Sequence, residues 1–224
     1  MVAPTLGELL PVALAVALSP IPIIAVVVVV GSPRAKTSGP AFALGWIVGL
    51  LAVTTVAVLL LGGGDDTVHD EPSIDWLSVG LGALLLGLAG KTWAGRPRPG
   101  EELKMPSWME TLGSAPAGRA IGLGAALSGA NPKNIAMALA AATTIAEAGL
   151  NQSEASATVV GFVALGSTTV VGAVLIALFG GRRGAAALAS LREFMTEHNV
   201  AIMVVVLVLL GGKLVGDGLG DLFA

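Results

Sequence analysis

The chain has 224 residues, 54% of them hydrophobic and 12% charged, against about 25% charged in ordinary soluble domains, and its mean hydropathy is +0.87. A water-soluble fold cannot hide that much apolar surface. The absence of cysteine excludes disulfides, thiolate metal sites and Cys nucleophiles, and a net charge of -3 without a dense basic stripe speaks against a nucleic-acid partner.

Six apolar segments follow in chain order: Thr5–Gly31, Gly39–Leu61, Trp76–Gly95, Arg119–Ala146, Ser156–Gly180 and Asn199–Asp217. Each reaches about 20 residues, the length that crosses roughly 30 Å of hydrocarbon. Met1 to Pro11 carries no Lys or Arg, unlike the basic start of a cleaved signal, so the first segment is expected to be retained. Sustained period-two alternation is missing, which disfavours a membrane β-barrel. Gly62–Gly64, Gly180–Gly181 and Arg96–Gly100 read as turns at membrane exits.

The charges alternate from one connection to the next. Arg34 and Lys36, then Arg96, Arg98, Lys104 and Arg119, then Arg182, Arg183 and Arg192 occupy every second one. The remaining connections hold Asp65, Asp66, Asp70, Glu71, Asp75, Glu147 and Glu154 without a Lys or Arg. The positive-inside rule puts the basic connections in the cytoplasm and both termini outside, in a multi-pass protein of the plasma (inner) membrane. Residues 97–118, with Trp108 and Met109 among charges, read either as an amphipathic segment on the inner surface or as a solvated linker.

Three ordered matches divide the chain into a first half (1–95), a linker (96–118) and a second half (119–224). Ala17-Leu18-Ser19-Pro20-Ile21-Pro22 pairs with Ala126-Leu127-Ser128-Gly129-Ala130-Asn131-Pro132, Thr54-Thr55-Val56 with Thr168-Thr169-Val170, and Leu88-Ala89-Gly90-Lys91 with Leu210-Gly211-Gly212-Lys213. Because each half has three spans, the second starts on the opposite side of the membrane. The expected fold is therefore all-α, six transmembrane helices as two inverted three-helix repeats with helices one and four broken.

Proline inside a helix removes one backbone hydrogen bond and frees a carbonyl that lipid cannot satisfy. Paired breaks aim half-helix termini at substrate near the midplane of many transporters; the alternative is a pair of kinks repaired by Ser19, Ser128 and neighbouring helices. Ser19, Pro20, Pro22, Ser128, Asn131 and Pro132 are accordingly the candidate substrate contacts at the breaks, with Thr54 and Thr168 as the matched hydroxyls. Lys133 follows the second break, where an ammonium costs about 2.5–3.5 kcal/mol unless a partner relieves it, and it leads the set. Lys91 sits at a depth from which it snorkels to headgroups, and Lys213 has Asp217 one turn later as its partner. Three lysines and two helix termini suggest an anionic ligand group such as a carboxylate, sulfate or phosphate. No Asp or Glu falls in the middle of a span, and His69 and His198 form no constellation. Neither a metal, a cofactor nor an enzymatic function is expected.

The Pro20-Ile21-Pro22 and Asn131-Pro132-Lys133 motifs resemble those of the lysine-exporter (LysE) superfamily, six-helix exporters of amino acids and other small solutes. Ala17–Pro22, Gly39–Gly49 and Ser128–Asn134 are most similar to its glycolipid- and sulfolipid-addressing (Sap-like) branch. That resemblance implies a role in bringing glycolipids or sulfolipids to the cell envelope. The amino-acid exporters often carry an acidic residue in the second helix, and Ala43–Leu50 has none, which counts against export of a cationic amino acid. Three functions stay open: a transporter or facilitator of an anionic lipid or glycolipid, an exporter of small solutes, and a non-transporting scaffold for a larger lipid-export machinery. Membrane lipids are the expected partners, with a homo-oligomer open through glycine faces such as Gly80, Gly87 and Gly90.

The charge alternation makes a direct prediction. A cysteine introduced at Ser107 will resist a membrane-impermeant thiol reagent in intact cells, while one at Ser73 will react; the opposite pattern overturns the orientation.

Overall fold

The computed structural model describes residues 1–61, 76–96 and 112–220, and within these every regular element is helical. Ten α-helices follow one another: α1 (Val2–Ala17), α2 (Pro20–Val30), α3 (Ala35–Leu61), α4 (Trp76–Ala94), α5 (Ala117–Gly129), α6 (Pro132–Glu147), α7 (Gln152–Gly166), α8 (Thr168–Phe179), α9 (Gly181–Glu197) and α10 (Asn199–Gly220). A 3₁₀ turn, Leu112–Ser114, precedes α5. The expected turn at Gly62–Gly64, the proline-rich turn from Pro97 onward, His69, Lys104 and Trp108 lie outside the described residues.

By length and composition α3, α4 and α10 are each able to cross a membrane, and the bent pairs α1/α2 and α7/α8 raise the number of candidate spans to five. The break in α1/α2 turns the axis by 57° and falls where the double proline predicts it. Pro20 and Pro22 have no N–H to give Val16 and Leu18, so the ladder stops. The 54° bend between α7 and α8 has no proline behind it and differs from the straight fifth helix expected. Hydroxyls act there instead: Thr168 Oγ1 donates to Leu165 O at 2.8 Å and Thr169 Oγ1 to Ala17 O at 2.6 Å, and side-chain bonds of this kind compete with the helical ladder. The segment expected as a basic loop, Arg182 to Arg192, is helix α9, entered through Gly181 at φ +54°. Its Leu188 and Met195 are buried, and it packs on α2 and α8.

Small residues set the packing. A Cβ added at Gly45 would stand 2.0 Å from Ile121 O, and one at Gly49 would stand 2.6 Å from Ala125 O. Both registers advance by one helical turn together, so α3 and α5 run parallel at a distance that only glycine permits. α1 and α7 also run parallel, Gly161 meeting Leu6 and Gly166 meeting Val16. α4 and α10 are antiparallel, with Gly82 against Gly211 and Val215, and Gly211 against Leu86.

Charge separates the two ends of the bundle. Glu8, Glu147, Lys213 and Asp217 line one cleft with Ser78, so the starts of α1 and α4 and the ends of α6 and α10 share an end that is mainly acidic. Asn151 caps α7 at this end: Asn151 Oδ1 accepts from Ser153 N at 3.1 Å and Glu154 N at 3.0 Å, while Glu154 Oε2 accepts from Asn151 N at 3.2 Å, a capping box. The opposite, basic end carries Arg34, Arg96, Arg119, Arg182 and Arg183. Here Arg34 Nη1 donates to Ser114 O at 2.8 Å and Ser38 Oγ to Ala115 O at 2.9 Å, tying the entry to α5 onto the start of α3.

Glycine contact therefore governs stability unevenly. Gly49→Val will lower the melting temperature in detergent, by the about 1–3 kcal/mol typical of overpacking, while Gly80→Ala, whose Cβ meets nothing within 4 Å, will not. Equal melting of the two variants would overturn the close approach of α3 and α5.

Candidate functional site

Where the chain leaves α1, Ala15 O and Ala17 O lose the Ser19 and Ile21 N–H donors that a continued helix would give them, next to the Val16 and Leu18 carbonyls that Pro20 and Pro22 strip, and the second half of the chain supplies donors to Ala15 and Ala17. Lys133 Nζ donates to Ala15 O at 2.6 Å and also to Ser19 Oγ. Thr169 Oγ1 takes Ala17 O. Lys133 is 3% exposed and is the one charged residue among the buried side chains described. No carboxylate pairs with it among the described residues; an ammonium can be held this way because carbonyl and hydroxyl oxygens replace part of its hydration.

The second break is repaired from within. Asn131 caps α6, its Oδ1 accepting from Lys133 N at 3.0 Å. Asn134 Nδ2 donates to Ser128 O at 3.1 Å and Leu127 O at 3.4 Å, the carbonyls that Pro132 and the non-helical Asn131 leave open. Ser128 Oγ returns to Ala125 O at 3.2 Å. Asn134 Oδ1, fully buried, has no partner among the described residues.

The structure thus gathers Ser19, Pro20, Pro22, Ser128, Asn131, Pro132 and Lys133 at one junction. It leaves the other candidates elsewhere. Thr54 is buried in α3 and donates to its own Leu50 O at 2.8 Å, Thr168 lies exposed at the α7/α8 bend, Lys91 is exposed near the end of α4, and Lys213 pairs with Asp217 at the acidic end. Asn134 and Thr169 escaped notice as site residues. Asn134 follows the break by two positions, the signal that would have found it, while Thr169 is legible only once α8 is known to cross α1.

Helix termini at the junction are poor anion sites. Proline occupies positions N1 and N3 of α2, which leaves Ile21 N–H as the one donor of its first three residues. In α6 Pro132 has no N–H, and that of Lys133 is taken by Asn131. An anion meeting Lys133 would have to displace Ala15 or Ser19.

Besides an open hollow of about 590 Å³ on α9 at Arg192 and Glu193, three cavities among the described residues lie away from the junction. A polar cleft of about 280 Å³ at the acidic end contains Glu8, Glu147 and Lys213. An apolar groove of about 490 Å³ opens on the flank between α3 and the bent α7/α8 pair, walled by Ile47, Leu51, Val163, Val171 and Leu175. A chamber of about 670 Å³ between the ends of α3 and α6 and the start of α7 shares Leu51 and Val160 with that groove. No group of three or more metal-ligating side chains occurs among the described residues.

An all-helical bundle with several candidate spans, a proline-broken first helix and a flank groove defines a polytopic membrane protein. The chain belongs to the sulfolipid-1-addressing protein (Sap) family, whose model matches residues 9–220. No curated protein and no solved structure matches it.

The junction predicts the outcome of removing its cation. Lys133→Met leaves Ala15 O and Ser19 Oγ without a donor in a buried setting, so thermal stability in detergent will fall by about 1–3 kcal/mol, and Lys133→Arg will fall between it and the native protein. Unchanged melting of Lys133→Met would show that the ammonium does not hold the halves together.

Proposed function

We propose that this protein moves a glycolipid or sulfolipid across the plasma membrane toward the cell envelope, with no catalytic step. The observation that carries the reading is the apolar groove between α3 and α7/α8. It opens sideways, where acyl chains are already present, and its volume lies within the roughly 300–1,000 Å³ range of ligand sites. The family description adds lipid addressing to the same side.

The packing supports six spans in two inverted repeats. A pseudo-two-fold axis that exchanges α1/α2 with α5/α6, α3 with α7/α8 and α4 with α10 also exchanges the parallel contact α3–α5 with α7–α1. It returns the antiparallel contact α4–α10 to itself. Under this arrangement the basic end faces the cytoplasm and both termini face outward. The same arrangement is in keeping with the lysine-exporter superfamily that the motifs resemble.

A central pocket for a small solute finds less support, since the junction at Lys133 is filled by the protein's own hydrogen bonds. The same filled junction favours a second reading, a scaffold that assists a larger export machinery or associates with its own copies. The groove decides between them. Gly172 lines it, and a Cβ there meets nothing within 4 Å, so Gly172→Trp will fill the groove without disturbing the fold. The variant will keep its melting temperature while losing about tenfold in co-purified lipid and in the fraction of lipid reaching the outer leaflet. Unaltered lipid binding and export would overturn transport through the groove in favour of the scaffold.

A further inference from the structure

Both walls of the flank groove continue beyond it along their own helices, and both lead to the basic end of the bundle. On α8 the lining residues Thr168, Val171, Gly172 and Leu175 stand at i, i+3, i+4 and i+7; the same stripe next meets Phe179 at i+11, which is 82% exposed. On α3 the stripe through Leu51 and Ile47 runs back to Leu44, Pro40 and Lys36, all three exposed. The two stripes stay together at this end, since a Cβ added at Gly39 would stand 3.7 Å from Val174 Cγ1. Lys36 lies about one turn past that contact on α3, and Phe179 a little more than one turn past it on α8. Arg182 and Arg183 follow at once, in the first turn of α9.

The cations of this end differ in what they already hold. Arg34 Nη1 is bonded to Ser114 O, and Arg96 Nη1 donates to Trp93 O at 3.0 Å with its guanidinium 4.4 Å from the Trp93 ring. Lys36, Arg182 and Arg183 are exposed and pair with no carboxylate among the described residues. The carboxylates of α9, Glu193 and Glu197, begin ten residues after Arg183, about 15 Å along the helix. At the acidic end the cations are matched instead, the Met1 amine to Glu154 and Lys213 to Asp217. No side chain caps α9, so the partial positive charge of its N-terminus adds to that of the two arginines.

A second feature, inside the groove, also points to a ligand. Ser167 is 2% exposed, lines the groove, and its Oγ has no partner among the described residues. Buried hydroxyls are normally partnered, and the groove is the open side from which a partner would come. Ser167 stands eight residues from Leu175, about 12 Å of helix, so a chain lying along the groove from the basic end passes it.

We infer that Lys36, Arg182 and Arg183 form the head-group site of the flank groove, holding the sulfate of a sulfated glycolipid at the basic mouth while its acyl chain lies between α3 and α8. The match is one of charge: a sulfate offers its oxygens to two guanidinium forks and an ammonium, and Leu175 and Phe179 offer apolar surface beneath them. This rests on the lipid reading above and on the basic end facing the cytoplasm, and it adds where the lipid is loaded and which residues meet it. Lys133, spent on Ala15 O and Ser19 Oγ, is not the cation that meets the anion.

The test uses the full chain in nanodiscs, with galactosylceramide, its sulfated form and phosphatidylglycerol of matched acyl chains competing for it, read by native mass spectrometry. The native protein will retain the sulfated lipid about tenfold over galactosylceramide. Lys36→Gln with Arg182→Gln and Arg183→Gln will bring the two to parity at an unchanged melting temperature. Arg182→Lys with Arg183→Lys will keep most of the preference, and Arg192→Gln, on the far half of α9, will leave it intact. Equal retention of the sulfated and the uncharged lipid by the native protein overturns the head-group site while leaving lipid handling intact. A preference that survives the triple variant overturns its placement at the mouth, and a stronger hold on phosphatidylglycerol than on the sulfated lipid overturns the sulfate in favour of a phosphate. Failure to retain any of the three lipids overturns both this assignment and the lipid reading beneath it.

Discussion

The ammonium of Lys133, reaching from the second half of the chain to Ala15 O and Ser19 Oγ in the first, is the interaction on which the rest depends. Two prolines within three residues cut the ladder of the first span at a depth where lipid offers no donors. Without a substitute, the broken turn would be a buried set of orphan carbonyls. Lys133 and Thr169 supply that substitute from α6 and α8, so the break in one half is stable only when the other half is docked on it. A single buried cation without a carboxylate is expensive, and the carbonyls it serves are what makes it tolerable.

The two halves use polar chemistry unequally. The second break caps itself through Asn131 and Asn134, and it keeps Lys133 in register to face α1. The first has no such residues and borrows. The glycines of α3 and α5 bring these two backbones into contact. Free space lies on the flank, in the groove between α3 and the α7/α8 bend, where the buried Ser167 Oγ stands without a partner among the described residues.

Much of this was legible in the residues. Composition and segment length gave helices able to cross a membrane, because hydrocarbon thickness fixes how many apolar residues are needed. Pro20, Pro22 and Pro132 located two breaks, although Pro11 and Pro40 stand inside the unbroken α1 and α3, so a missing N–H marks a candidate break and its surroundings decide. Lys133 stood out because an ammonium in an apolar run demands a partner. The bend at Ser167 was not legible, as it comes from hydroxyls whose choice of acceptor depends on a neighbouring helix. Helix α9 is hidden in the sequence behind its arginines, which mark a connection, because its buried face is defined only by α2 and α8.

Sequence by itself determined that the chain is helical, that it belongs in a membrane and where its first and fourth apolar segments fail, since each follows from local covalent chemistry and from hydrocarbon as the solvent. The tertiary structure alone decided that Lys133 serves carbonyls of the first half, that Thr54, Lys91, Thr168 and Lys213 stand apart from it, and that the open space lies on the flank. Those outcomes depend on which helices meet, a matter of contacts between residues more than a hundred positions apart, such as Lys133 and Ala15, that no local pattern encodes.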